Sequence, residues 1–178
     1  AMHAPFSLWF TGLSGAGKST LSEQVAALLA CRNLAVERLD ADVVRRQYWP
    51  ELGYSRTERM ANIKRLTHLS SMLSRHNVTT LVAAMAPYQE ARDFARATVP
   101  NFVEVYVQCS LEELIRRDTK GLYGRALRGE IDNFAGITMP FEAPRCAEIA
   151  VDTETETVPE SVTRIMRGLA HLGYWHGD

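Results

Sequence analysis

Cysteine is scarce in this chain. Cys31, Cys109 and Cys146 are widely spaced and odd in number, with no C-x-x-C pair and no Cys/His ligand spacing. That excludes a zinc ribbon and a disulfide framework. Charge of one sign is missing as well. The formal net charge is -1, so no basic field points to nucleic acid or to an anionic membrane surface. No apolar run approaches the roughly 20 residues that span a bilayer. The opening "AMHAPF" has neither a basic nor an apolar signal region, so it does not read as a signal peptide. Ala1 ahead of Met2 reads as a cloning remnant, and residues 1–5 are expected to be disordered. What remains is a globular, cytoplasmic domain. Its 46% hydrophobic content over 178 residues is enough to build one core.

Against these absences stands "FTGLSGAGKST", Phe10 to Thr20, which fits G-x-x-x-x-G-K-[ST]. In such a loop, backbone N–H groups point at phosphate oxygens, the lysine reaches the terminal phosphates, and the hydroxyl serves Mg²⁺. Gly12, Ser14, Gly15, Ala16, Gly17, Lys18, Ser19 and Thr20 are therefore candidate nucleotide-binding residues, Lys18 is also catalytic, and Ser19 is the candidate metal residue. The context agrees. "FSLWF" before the loop reads as a buried strand, and Leu21, Val25, Leu28 and Leu29 after it recur at helical spacing.

Further strands are expected in "AVERLDAD", "VTTLVAAM", "FVEVYVQC" and "AEIAVDT". Helices are expected over Thr57–His76, "YQEARDFARATV", "SLEELIRR" and Ser161–Leu172. Asn77 is a helix stop, and Ser110 with Glu113 a capping box. Strands alternating with helices predict an α/β phosphate-loop nucleoside-triphosphate hydrolase fold, a parallel sheet of about five strands covered on both faces. Residues 118–140 are glycine-punctuated, basic at their start and without a clean period. They read as a mobile lid on a single domain, 1–178. The N-K-x-D segment of a GTP switch is missing. One phosphate loop with a lid in a short chain suits a small-molecule kinase, since closure keeps water from the γ-phosphate.

Several stretches together resemble the adenylyl-sulfate kinase family: "WFTGLSGAGKST", "LDADVVR", "LGYSRTERMANIKR", "APYQEAR", "EVYVQC", "RDTKGLYGRALRGEIDNFAGI" and "FEAP". They run in the family's order from Trp9 to Asp152. The resemblance implies transfer of the ATP γ-phosphate to the 3′-hydroxyl of adenosine 5′-phosphosulfate, with Mg²⁺. It also implies a homodimer and admits association with ATP sulfurylase, because the motif variants are similar to the kinase portion of bacterial bifunctional proteins.

On the residues alone, Asp40 and Asp42 are either a helix N-cap with a solvated carboxylate, or a pair serving a metal water and the hydroxyl proton. The family's D-G-D stretch favours Asp42 as the base, with Asp40 beside it. Arg45, Arg59 and Asn62 match residues that hold the acceptor's anionic groups, and Tyr54 and Phe134 match two rings that sandwich its adenine. Arg117, Lys120 and Arg125 lie at the base of the lid. Arg117 is expected on the nucleotide, Lys120 on the acceptor, and Arg125 as a cation able to fold over the phosphates. The sequence departs from the family at Ala41, Ala86 and Gln89. Those departures leave a relative of adenylyl sulfate open as acceptor. Ala86, lacking a hydroxyl, excludes a phosphoserine there.

Overall fold

A computed structural model describes residues 3–177. Ala1, Met2 and Asp178 lie outside the described residues, and so does the reading of Ala1 as a remnant. Of the stretch expected to be disordered, the carbonyl of Pro5 accepts from Asn101 Nδ2 at 2.9 Å, and His3 stacks on His176.

The elements alternate along the chain. They run β1 (Ser7–Thr11), α1 (Lys18–Ala30), β2 (Val36–Asp40), α2 (Ala41–Tyr48), α3 (Arg56–Arg75), β3 (Thr79–Ala83), α4 (Gln89–Thr98), β4 (Phe102–Gln108), α5 (Leu111–Arg117), α6 (Leu122–Leu127), β5 (Ile149–Asp152) and α7 (Val158–His171). The five strands form one sheet in the order β2-β3-β1-β4-β5, and every pairing is parallel. β1 lies at the centre, with Ser7 opposite Thr80 on one side and Phe102 on the other. A central parallel strand has no solvent face, which is why "SLWFT" is apolar almost throughout.

Strand alternation divides the core. Leu8 and Phe10 face Leu21, Val25 and Leu29 of α1 and Ile165 and Leu169 of α7. Trp9 faces the opposite way, onto Val44 of α2, Ile63 and Leu66 of α3, and Ala91 and Ala95 of α4. Burying each of these leucines and isoleucines stabilises the sheet sandwich by about 1.5–3 kcal/mol. Both layers lean on the carboxyl ends of the strands, where the phosphate loop leaves β1.

Five expectations need correction. The "LDAD" tract turns from strand to helix at Ala41, so Asp40 is the N-cap of α2 and accepts from the amides of Asp42 and Val43. Residues 118–140 are not irregular throughout, because Asp118 accepts from the amides of Tyr123 and Gly124 and so starts α6. Leu28 is exposed, whereas Leu21, Val25 and Leu29 are buried. Ser110 caps α5 through Glu113 N, but Glu113 does not close the box. Its carboxylate is taken by Arg116 and Arg117, which hold its pKa down to about 2. α7 begins at Val158 rather than Ser161, with Thr157 as its N-cap. Asn77 stops α3 with a left-handed φ of 60°.

The loop after β1 is pressed against β4. A Cβ on Gly12 would stand 2.5 Å from the carbonyl oxygen of Val107, closer than real side chains tolerate. Gly12→Ala is therefore expected to lower the unfolding free energy by about 1–3 kcal/mol or more through overpacking. Urea unfolding measures this, and an unchanged midpoint would mean that the loop can back away from β4.

Candidate active site

One cleft of about 1160 Å³ opens at the carboxyl ends of the strands, the edge where ligands gather in open α/β sheets. Three walls form it. The first is the phosphate loop and the start of α1. Gly15 and Gly17 hold φ values of 79° and 112°, a region closed to most side chains, and this turns their amides inward. The Lys18 ammonium donates to the carbonyls of Gly12 and Leu13 at 2.7 and 2.9 Å. Burial, with Lys120 nearby, lowers its pKa to about 8, although Asp42 and Asp40 pull the other way. Ser19 Oγ donates to Asp40 Oδ2 at 2.6 Å. A hydroxyl beside a carboxylate offers hard oxygens of the kind Mg²⁺ takes. Among the described residues no group of three or more His, Cys, Asp or Glu could hold a metal.

The second wall comes from α2 and α3. Arg45 is buried. It contacts Asp42 Oδ1 at 3.2 Å and donates to Gly53 O at 3.4 Å. Its guanidinium carbon lies 4.0 Å from the centre of the Tyr54 ring. Arg59 approaches the same ring and donates Nε–H to the Tyr54 carbonyl at 3.0 Å. Two cations against one ring hold it at the cleft mouth. Asn62 accepts from Trp49 Nε1 at 2.8 Å through Oδ1, so its oxygen is engaged in holding α2 to α3.

The third wall is the lid segment, contributing Thr119, Lys120, Leu122, Arg125 and residues 130–134. Arg125 pairs with Glu130 at 3.4 Å. Phe134 is buried and meets Tyr123 edge-to-face. The carbonyl of Asn133 accepts from Arg59, joining this wall to the second.

The structure thus brings Ser14, Gly15, Gly17, Lys18, Ser19, Thr20, Asp40, Asp42, Arg45, Tyr54, Arg59, Asn62, Lys120 and Phe134 to one cleft. Three expected residues lie outside its lining. Gly12 serves the approach to β4, and Ala16 is buried behind the loop. Arg117 reaches past the end of α5 to the carbonyl of Thr153 at 2.8 Å. Thr153 Oγ1 in turn donates to Ala16 O at 2.6 Å, bracing the loop from behind. Ala41 lines the cleft in the first turn of α2, with a helical φ that alanine accepts freely. Ala86 also lines it. Gln89 turns away from the cleft and bonds Asp93 and Arg92.

Residues 4–152 match the family model for adenylylsulphate kinase. The chain belongs to the adenylyl-sulfate kinase family. Among curated members, an adenylyl-sulfate kinase of Picosynechococcus is 44% identical over 97% of this chain and 97% of its own length. A probable bifunctional SAT/APS kinase of Sorangium cellulosum is 47% identical over 95% of this chain, which spans only 29% of that relative. Among solved structures, the APS kinase of Mycobacterium tuberculosis in complex with AMPPNP and APS superposes with a TM-score of 0.89. It is 32% identical, over 94% of this chain and 99% of that one.

Some residues of this adenylyl-sulfate kinase site were missed in the sequence. Arg46, Glu130 and Asp132 line the cleft and were not among the residues expected there. Arg92 is fully buried beneath it, paired with Glu104 at 3.6 Å. The available signal was Glu104 itself, a lone carboxylate among the valines of "FVEVYVQ", where a central strand otherwise carries no charge.

The Lys18 shift predicts a pH dependence. Phosphate oxygens favour the ammonium, so nucleotide binding raises its pKa and takes up a proton where the free protein has lost one. Affinity for AMPPNP is expected to stay level below about pH 8. Above that it falls, by at most about tenfold per pH unit. Titration calorimetry on both sides of that value checks this, and Lys18→Arg, charged throughout, should remove the slope.

Proposed function

We propose that this chain transfers the γ-phosphate of ATP to the 3′-hydroxyl of adenosine 5′-phosphosulfate, giving 3′-phosphoadenosine 5′-phosphosulfate and ADP in sulfate activation. The observation that carries the reading is the composition of one cleft. Lys18 and the Ser19–Asp40 pair line it together with Asp42, Arg45, Tyr54, Arg59 and Phe134. The first set suits a triphosphate, and the second suits a flat base bearing anionic groups. The Mycobacterium tuberculosis relative, solved with AMPPNP and APS, supports the same pair of ligands.

Phosphoryl transfer asks mainly for in-line placement and charge neutralisation. Lys18 neutralises the γ-phosphate. Ser19 Oγ and Asp40, already in contact, would hold Mg²⁺, which would supply further neutralisation of the phosphates. Tyr54 and Phe134 stack the acceptor's adenine. Arg45, Arg59 and Asn62 hold its phosphate and sulfate, and Asp42, exposed to the cleft and oriented by Arg45, accepts the proton of the 3′-hydroxyl. Lys120 and Arg125 lie on the segment 118–140, which closes as a lid over the single domain. Arg117 supports the nucleotide side from behind the loop. With alanine at position 86, transfer is direct. A homodimer in the cytoplasm belongs to the same reading, and so does association with ATP sulfurylase, which the bifunctional relative supports. Among the described residues no helix is long and apolar enough to cross a membrane.

ADP release from MgATP, with and without adenosine 5′-phosphosulfate, is the test. Release is expected to depend on the acceptor. Lys18→Ala and Asp42→Asn should each lower it by about 10²–10⁴-fold, the range for losing charge stabilisation or a general base. Nucleotide binding without acceptor-dependent release would sink the reading.

A further inference from the structure

Tyr123 belongs to neither ligand set, yet it touches the elements that hold both. It is fully buried at the start of α6, and its hydroxyl donates to the carbonyl of Ser14, inside the phosphate loop, at 2.7 Å. Burial pushes the hydroxyl's pKa well up, so it stays a donor at any working pH. The ring meets Phe134 edge-to-face, with centroids 5.0 Å apart and planes at 89°. Phe134 is a wall of the acceptor side. The next link is Asn133, whose carbonyl accepts from Arg59. Arg59 bonds the Tyr54 carbonyl, and the Tyr54 ring carries Arg45, the partner of Asp42. The backbone at Tyr123 is fixed as well, since its amide donates to Asp118 Oδ1 at 2.9 Å.

These contacts form one continuous path from the phosphate loop to the acceptor wall, with a single side chain at the junction. We propose that Tyr123 is a positioning residue that couples the two halves of the cleft, so that nucleotide in the phosphate loop orders the Phe134 wall for the acceptor. The proposal rests on the reading of the cleft as a two-substrate site. Nucleotide draws the amides of the loop onto its phosphates, and the Ser14 carbonyl, in the same turn, is held against Tyr123. A hydrogen bond on one edge of a ring and an edge-to-face contact on the other transmit that restraint without a large movement. The coupling is reciprocal: acceptor binding tightens nucleotide binding by the same factor.

The test removes one oxygen. Tyr123→Phe keeps the ring, its burial and its contact with Phe134, and loses only the donor to Ser14. Amide hydrogen exchange over residues 130–139 is measured with and without AMPPNP, in the absence of any acceptor. In the wild type, AMPPNP is expected to slow exchange at these residues. In Tyr123→Phe the slowing should largely vanish, while AMPPNP affinity stays within about threefold. A second arm measures the affinity for adenosine 5′-phosphosulfate with and without AMPPNP, where the wild-type enhancement, about 5–150-fold for a typical coupling, should fall towards one. An unaltered AMPPNP effect in the variant overturns the proposal, as does a wild-type segment indifferent to AMPPNP. A uniform rise in exchange across the whole fold with a lowered melting temperature also overturns it, because that is a structural role only. If the acceptor fails to bind or react, the functional reading falls, but the AMPPNP arm still judges the coupling.

Discussion

The stretch of the cleft lining around Ala86 hangs on one buried cation. Arg92 has almost no contact with solvent, and its guanidinium donates to the carbonyls of Ala86 and Glu142 and to Gln89 Oε1. Glu104, equally buried in β4, lies 3.6 Å away. Burial pulls the arginine's pKa down and pushes the glutamate's up, and each opposes the other's shift. Arg92 depends on this carboxylate, since an uncompensated ion in an apolar interior costs several kcal/mol, while Glu104 also has Arg96 at 3.8 Å. The pair thus fixes α4 to β4. The two carbonyls fix the exit of β3 and the chain returning from the lid. Ala86 depends on this directly. Its φ of 45° is a left-handed conformation that costs a non-glycine residue of order 1–3 kcal/mol, and the bond to its carbonyl keeps it there.

The two halves of the cleft are built on different physics. The phosphate side is backbone: glycines with left-handed φ, a lysine bonded to its own loop, and a threonine brace at Thr153. It works because amides can be aimed only if nothing else fills the turn. The acceptor side is side chain against side chain, with arginines laid on Tyr54 and a buried ring at Phe134. Backbone sites bind any phosphate chain of the right length. Stacked and forked side chains select a shape. On the proposed reading, the cleft would grip one ligand generically and the other by its outline.

Legibility in the sequence follows the same division. β1, its loop and α1 could be read from a continuous apolar strand, a spaced glycine–lysine pattern and helical periodicity, all of them local signals. The strand-rich alternation foretold the parallel sheet for the same reason. α2 was legible only as the N-cap alternative for Asp40, because its start is fixed by a capping carboxylate that follows directly on a strand, leaving no loop to mark the change. α6 escaped because its first turn depends on Asp118, four residues ahead of the helix, and on glycines that also read as flexibility. The burial of Arg92 could not be seen in an amphipathic helix full of charges. It is decided by a partner twelve residues on, in another element. Arg117 was expected at the nucleotide, but the carbonyl that engages it lies at the far end of β5.

Asp40 shows how tightly such a site restricts its own future. One oxygen, Oδ1, is committed to the amides that begin α2, and the other, Oδ2, to the hydroxyl of Ser19. Asparagine would preserve an acceptor for one of these and offer a donor to the other. Serine would start the helix and abandon the hydroxyl. Glutamate has both oxygens but carries them a methylene too far for the cap. Two unrelated requirements, one of folding and one of chemistry, meet in a single short carboxylate. None of these three substitutions at this position meets both requirements.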